Sequence, residues 1–175
     1  GQLPCFKLLE DDKTIAFLSK AFAKAGLKPG GDAGGWLQAV PMVRLDRAPG
    51  AEMVLTLGGT QHPLVLGCDA TLALRKPGRT TVRDLPLVFA GFGIVDAARG
   101  WDAYRGVDMA GKIAVVLAND PDFEAGADLG FEGRRMAYPG RVGVKFEAAA
   151  RAGAAGVLVI HEDAAASYPF FQVGS

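Results

Sequence analysis

Three consecutive side chains that could bind a metal ion, His161, Glu162 and Asp163, form the sharpest chemical cluster in the sequence. They follow the apolar residues 157–160, which predict a buried strand, and active sites of α/β sheets favour the carboxyl ends of strands. Imidazole nitrogens and carboxylate oxygens are both zinc ligands, so His161 and Asp163 are candidate metal ligands. A zinc site needs about three or four protein ligands, however, and the other histidine, His62, is distant in sequence. The alternative is a polar strand end that enters a loop.

A second cluster lies in the stretch 119–140, which is rich in Asp, Gly and Arg. Loops longer than about 12–15 residues are usually functional or disordered. The candidate peptide-binding residues precede a predicted helix, and they are Arg134, Arg135, Tyr138 and Arg141. They could clamp carboxylate groups by forked guanidinium bonds or at the helix N-terminus. The alternative is a solvated loop whose arginines pair with nearby acidic residues, namely Asp120, Asp122, Glu124 and Asp128.

Other catalytic patterns find little support. Gly91-Phe92-Gly93 resembles part of a dinucleotide-binding turn, but Asp96 occupies the position of the third glycine. We therefore expect these glycines to permit a bulge or close packing in a strand. None of the three serines lies in a Gly-x-Ser-x-Gly motif. We assign no catalytic residue.

The composition excludes several classes of protein. The 19 basic and 19 acidic side chains balance, so the chain lacks the surplus positive charge that binds nucleic acid. It is 50% hydrophobic, which is too apolar for a disordered chain. No apolar run approaches the roughly 20 residues of a membrane-spanning helix. Cys5 and Cys68 could form one disulfide or remain two thiols.

The hydrophobic pattern predicts a mixed α+β architecture. Residues 12–26 predict a helix that ends near Gly26, and residues 40–46 a strand. Short strands separated by Gly and Pro then suggest a barrel or sandwich; they are predicted at residues 52–57, 62–66, 72–74 and 87–95. The final third predicts a buried parallel strand pair joined by a helix, with strands at 112–117 and 157–160 and the helix at 142–152. Trp36, Trp101 and Tyr104 are predicted packing anchors.

Several ordered blocks resemble a known family, the di-zinc aminopeptidases of peptidase family M, number twenty-eight. The first blocks resemble the start of that family's catalytic domain, and they are Lys-Thr-Ile-Ala-Phe-Leu at 13–18, Ala-Gly-Leu-Lys-Pro-Gly-Gly at 25–31 and Trp-Leu-Gln-Ala-Val-Pro at 36–41. Later blocks resemble the protease-associated domain inserted there, and they lie at 87–94, 101–108, 111–116, 145–149 and 153–157, with Pro169, Phe170 and Phe171 at the trailing edge.

The resemblance implies a swivelling β/β/α domain, an open barrel-like sheet with flanking helices. It implies residues 1–50 as a helix-and-strand fragment of the catalytic domain and residues 51–175 as the protease-associated domain. The family's zinc ligands lie after the inserted domain, so no catalytic residue carries over; zinc is implied for the parent enzyme and no cofactor for this chain. The partners implied are the parent's catalytic domain and a peptide or protein substrate, in a secreted or periplasmic setting.

The chain begins with Gly and stops directly after an aromatic cluster, so we expect it to be a piece of a larger protein. The apolar faces of the first helix and strand would then need to fold back, dimerise or swap.

Three functions follow for comparison. The first is a non-catalytic accessory domain of a zinc aminopeptidase, which shapes substrate access or binds peptide. The second is a free-standing metal-dependent hydrolase that uses His161 and Asp163 with Glu162 as general base. The third, a phosphohistidine carrier domain, is disfavoured because Glu162 and Asp163 would repel a phosphoryl group.

Overall fold

The computed structural model describes residues 11–43, 48–74, 78, 81–125 and 128–173. The chain divides into two compact units, Gly1–Leu45 and Asp46–Ser175, and each is described by itself. The domain boundary predicted at residue 50 stays a prediction. Within the described residues, no helix is both long and apolar enough to cross a bilayer.

The first unit contains the predicted helix as α1, Asp11–Lys24. Its end is a Schellman arrangement: Gly26 has a φ of 80°, its N–H donates to Ala23, and the N–H of Leu27 donates to Phe22. Gly26 is suited to this position because it has no Cβ to clash in the left-handed conformation. The Phe22 ring contacts Trp36, with ring centroids 6.0 Å apart.

The strand predicted at 40–46 is wrong for its described part. Residues 40–43 have no regular structure, and their apolar side chains Val40, Met42 and Val43 are exposed. Residues 44–46 lie outside the described residues. Alternation of apolar residues is insufficient where no neighbouring strand supplies hydrogen bonds.

The second unit begins with an antiparallel hairpin of β1, Met53–Leu57, and β2, Thr60–Leu64. Gly58 and Gly59 form its two-residue turn with φ values of 55° and 84°. Positive φ at both positions matches the right-handed twist of the flanking strands, which explains the glycine pair. The strands predicted at 52–57 and 62–66 are confirmed with small shifts, whereas residues 72–74 form no strand.

The centre of this unit is a three-stranded parallel sheet. Its strands are β3, Leu87–Phe89, β6, Ile113–Leu117, and β7, Gly156–Ile160, in the order β3-β6-β7. Helix α3, Val142–Arg151, joins β6 to β7 as predicted. Small side chains let the helix approach the sheet closely, and the buried cluster includes Ala114 and Val116 from β6 with Ala148 and Ala149 from α3.

The strand predicted at 87–95 is two strands separated by a turn. After β3 the chain turns through Gly91 and Gly93, both with positive φ, and then forms β4, Val95–Asp96. Strand β4 pairs antiparallel with β5, Trp101–Asp102. A Cβ at Gly93 would lie 2.5 Å from Cγ1 of Val116, so close packing at this glycine is confirmed, but in a turn rather than a strand.

The fold class, mixed α+β, is confirmed. Two further short helices, α2, Pro121–Ala125, and α4, Asp163–Ala166, follow the carboxyl ends of β6 and β7. The described strands form three small sheets, and the open barrel-like arrangement stays a prediction. The stretch predicted as a loop over 119–140 contains α2 and a single 3₁₀ turn at Tyr138–Gly140.

Replacement of Gly93 by Ala should destabilise the protein by about 2–4 kcal/mol, because it combines a positive φ with overpacking against Val116. The control is Gly106→Ala, where φ is 74° and nothing lies within 4 Å of the added methyl group. That control should cost only about 1 kcal/mol. Urea denaturation of both variants measures the difference, and equal losses would contradict the packing at Gly93.

Candidate functional site

A buried lysine organises the carboxyl end of the parallel sheet. Lys145 lies on the face of α3 that also presents Ala148 and Ala149, and its side chain is fully buried. Its ammonium group donates three hydrogen bonds, which run to the carbonyl oxygens of Phe92, Leu117 and Asn119 at distances of 2.5–2.9 Å. One side chain therefore joins the β3–β4 turn, the end of β6 and the start of the long loop.

Asn119 directs the chain as it leaves β6. It has a φ of 61°, a left-handed conformation that asparagine tolerates better than most residues. Its side-chain Nδ2 donates to the carbonyl oxygen of Ala165, and its Oδ1 accepts the N–H of Asp120. The Asn119 side chain therefore connects the segment that leaves β6 to α4 and turns Asp120 toward the interior.

Two buried carboxylates then hold the loop from inside. Asp120 Oδ2 accepts the N–H of Ala137 at 2.8 Å, whereas its Oδ1 has no hydrogen-bond partner within the described part of the chain. Asp122 accepts the N–H groups of Leu129, Phe131 and Gly133. Residues 128–137 are thereby tied to the end of β6, and we call residues 128–141 the loop.

The two carboxyl groups differ in their acidity. Burial raises the pKa of Asp120, an effect that the N–H of Ala137 and the charge of Lys145 oppose only in part. Burial would also raise the pKa of Asp122, but the N–H groups of Phe131, Leu129 and Gly133 outweigh it and the pKa is lowered. Asp122 is therefore the stable anion of the pair.

The sequence suggested that Asp120 and Asp122 pair with the arginines of the loop, and this is wrong. Both carboxyl groups are buried and accept backbone N–H groups instead. The acidic partner within the loop is Glu132, whose Oε2 accepts two hydrogen bonds from Arg135 at 3.0 and 2.8 Å.

The other predicted peptide-binding side chains lie against aromatic rings. The guanidinium carbon of Arg134 is 5.1 Å from the ring centroid of Phe123, and that of Arg141 is 5.7 Å from the ring centroid of Tyr138. Tyr138 is 68% exposed. Arg141 and Tyr138 thus form an exposed cation–aromatic pair immediately before α3, a pair that could receive a carboxylate.

The structure brings His161 and Asp163 together at the end of β7. The same imidazole nitrogen, Nε2, lies 3.2 Å from Asp163 Oδ1 and 3.0 Å from the carbonyl oxygen of Tyr168. The ring also contacts the rings of Tyr168 and Phe170. These contacts tie β7 to the segment that follows α4. Within the described residues, no group of three or more His, Cys, Asp or Glu side chains could hold a metal ion.

The predicted packing anchors have such a role. Trp101 meets Phe131 edge to face, with centroids 5.1 Å apart, and Tyr104 is buried in the central cluster. Trp36 contacts Phe22 in the first unit. Cys68 is exposed, whereas Cys5 lies outside the described residues, so their pairing stays open.

Sequence reasoning missed the role of Lys145. A lysine on a helix is usually exposed, and the useful signal was its spacing of three and four residues from Ala148 and Ala149, which places it on the apolar face. The run from Asn119 to Asp122 directly after a buried strand was the second signal.

Removal of the Asp122 carboxylate should release the loop from its interior anchor. In Asp122→Ala, trypsin should cleave after Arg134 and Arg135 at least about tenfold faster, because local opening exposes the backbone to the protease. The matched control is Asp128→Ala, which removes an exposed carboxylate that accepts the N–H of Gly130. Mass spectrometry of timed digests compares the two, and equal cleavage rates would contradict the anchoring role.

Lys145 should make stability rise with pH. Burial lowers its pKa from 10.5 to about 8 in the folded protein, although the charge of Asp120 opposes the shift. Above about pH 8 the unfolded chain therefore binds more protons than the folded one, so the free energy of unfolding should increase by up to about 2 kcal/mol by about pH 9.5.

Urea denaturation across this range should show the increase for the natural chain and its absence for Lys145→Met. Measurements should stay below about pH 10, because burial raises the pKa of Tyr104 and its titration has the opposite sign. A flat profile in the natural chain would contradict the assignment.

Comparison with known proteins supplies the family. A model of the PA domain matches residues 60–173, a span that includes the parallel sheet, the loop and the His161 contacts. No curated protein and no solved structure matches the chain. Because the family match covers more than half of the 175 residues, the chain belongs to the protease-associated (PA) domain family, a domain type found in proteases.

Proposed function

We propose that the chain is a non-catalytic accessory domain of a protease, which shapes substrate access or binds a peptide or protein substrate. The family match over residues 60–173 carries this proposal. The geometry supports it, because the buried carboxylates of the long loop hold backbone N–H groups and its arginines lie near the outside. Such an arrangement suits a binding surface better than a set of reacting groups.

The finer proposal concerns the parent enzyme. The ordered sequence blocks at 13–41 and 87–171 support a di-zinc aminopeptidase of peptidase family M, number twenty-eight, with zinc held by residues beyond this chain. On this proposal the catalytic domain of the parent is the first partner, and the setting is secreted or periplasmic.

The swivelling β/β/α fold and dimerisation through the N-terminal elements are parts of the same proposal. The exposed Phe17, Leu18 and Phe22 on α1 supply the apolar surface that such a contact would need.

Within this function, the outer face of the loop is the proposed peptide contact. Arg141 and Tyr138 are the best placed, because Tyr138 is exposed and Arg141 takes part in no ion pair within the described residues. Arg135 already donates two hydrogen bonds to Glu132, so a peptide carboxylate would have to compete for it. Arg134 presents its guanidinium over Phe123 and could donate from its edge.

The metal-dependent hydrolase remains the alternative, with His161 and Asp163 as ligands. No contact favours it: Nε2 of His161 is directed at Asp163 and the Tyr168 carbonyl, and a metal ion bound there would have to displace both contacts.

Triple replacement of Arg134, Arg135 and Arg141 by Ala should weaken binding of an acidic peptide by at least about tenfold, through loss of charge-assisted hydrogen bonds. Among single replacements, Arg141→Ala should cost more than Arg135→Ala. Arg151→Ala, at the exposed end of α3 beside Glu147, is the control for net charge. Titration of a fluorescent peptide measures the affinities, and an unchanged affinity in the triple variant would mean that the loop is a solvated connector.

The chain should also fail to hydrolyse an aminoacyl-p-nitroanilide in the presence of added zinc. Release of p-nitroaniline measured by absorbance tests this directly. Activity above the no-protein control that disappears in His161→Ala would contradict the accessory function and establish the hydrolase.

A further inference from the structure

A separate cleft of about 370 Å³ lies beside the β3–β4 turn. Its lining includes two aromatic residues, Phe92 and Trp101, and two charged residues, Asp102 and Arg105, and the rest is alanine and glycine. Ligand sites in proteins usually occupy about 300–1,000 Å³, with mostly apolar walls and a few polar groups that fix orientation. The cleft fits the small end of that range.

Phe92 and Trp101 are each fixed by contacts with the interior of the unit. The carbonyl oxygen of Phe92 accepts a hydrogen bond from the Lys145 ammonium group, and its ring lies 5.6 Å from the same nitrogen. Trp101 packs edge to face on Phe131, whose N–H is bound by Asp122. The walls are therefore preorganised, which lowers the entropic cost of binding a ligand between them.

The two charged residues lie three positions apart, Asp102 at the end of β5 and Arg105 in the turn that follows. Oδ1 of Asp102 accepts the N–H of Tyr104 at 3.0 Å. Within the described residues, neither Asp102 nor Arg105 forms an ion pair, with each other or with another side chain. The cleft is thus lined by one cation, Arg105, and one anion, Asp102, which do not form an ion pair with each other.

We propose that this cleft binds a small zwitterion with an apolar side chain, namely a free amino acid such as leucine. Arg105 binds the carboxylate through forked hydrogen bonds, Asp102 binds the ammonium group, and the side chain lies between Phe92 and Trp101. The site shares no residue with the proposed peptide contact on the loop, so each of the two proposals can be tested without the other.

Trp101 reports on this cleft by its fluorescence. Because Trp36 is the other tryptophan, Trp36→Phe isolates the signal of Trp101 in the full chain. Titration with L-leucine should give a saturable change in intensity. Leucinamide, which lacks the carboxylate, and N-acetyl-leucine, which lacks the ammonium group, should each bind at least about tenfold more weakly, since each loses a charge-assisted bond.

Two variants in the same background assign the charges. Arg105→Ala and Asp102→Asn should each weaken leucine binding about tenfold; Asn keeps an oxygen for the N–H of Tyr104, so the turn retains its hydrogen bond. Arg151→Ala is the control and should bind leucine as the natural chain does.

Absence of a saturable change with leucine would overturn the proposal. So would equal binding of leucine and its two blocked derivatives, because the ligand would then be recognised by its apolar part alone. Unchanged affinity in Arg105→Ala and Asp102→Asn would likewise place the ligand elsewhere.

Discussion

The ammonium group of Lys145 is buried where three backbone segments end, and the architecture around the loop depends on it. Its hydrogen bonds satisfy the carbonyl oxygens of Phe92, Leu117 and Asn119. A fully buried charge is costly unless polar groups surround it, and the lowered pKa of Lys145 records that cost. The three hydrogen bonds offset part of this cost. They also fix the β3–β4 turn, the end of β6 and the segment that follows β6 relative to α3. An apolar side chain at this position would remove the Lys145 donor from all three carbonyl groups.

The conformation of the loop depends on the hydrogen bonds of Lys145. Because Asn119 is fixed by Lys145 and by its bond to Ala165, the carboxyl groups of Asp120 and Asp122 point inward and bind N–H groups as far along the chain as Ala137. Burial dominates at Asp120 and raises its pKa, whereas the N–H groups of Phe131, Leu129 and Gly133 outweigh burial at Asp122 and lower its pKa. The polar groups of the interior thus maintain the loop, while Tyr138 and Arg141 remain on its exterior. Lys145 also fixes Phe92, and Phe131 supports Trp101, so the loop and the cleft beside the β3–β4 turn share a scaffold.

Much of this fold could be predicted from the sequence, and the successes share a cause. Strands β6 and β7 and helix α3 have strong apolar patterns and bury one another, so local pattern and tertiary packing agree. Residues 72–74 and 40–43 are also apolar, but no strand among the described residues pairs with them, and pairing cannot be deduced from composition. Residues 87–95 form a continuous apolar run in the sequence, but the chain turns at Gly91 and Gly93 with positive φ. Val116, a residue distant in sequence, leaves no room for a Cβ at Gly93.

The site was predicted less well, because burial of polar groups depends on the tertiary fold. From the sequence, Asp120 and Asp122 are expected to pair with arginines, which is the ordinary role of exposed acidic residues on a loop. Their burial in the fold is what lets them accept backbone N–H groups instead. The juxtaposition of Asp102 and Arg105 with the rings of Phe92 and Trp101 had no sequence signature, since it requires the turn after β3 to face the turn after β5. His161 and Asp163 were predicted to be close, and they are, because three residues at a strand end restrict their separation.

The central claim, that Lys145 organises the loop through Asn119, Asp120 and Asp122, is tested most directly by amide hydrogen exchange on Lys145→Met. The account predicts that the N–H groups of Phe131 and Ala137 lose protection by at least about tenfold, while those of β6 that pair with β7 keep most of theirs. Loop amides that stay as protected as in the natural chain would contradict the claim, and so would a uniform loss across sheet and loop, since the lysine would then support the whole unit without a specific connection to the loop.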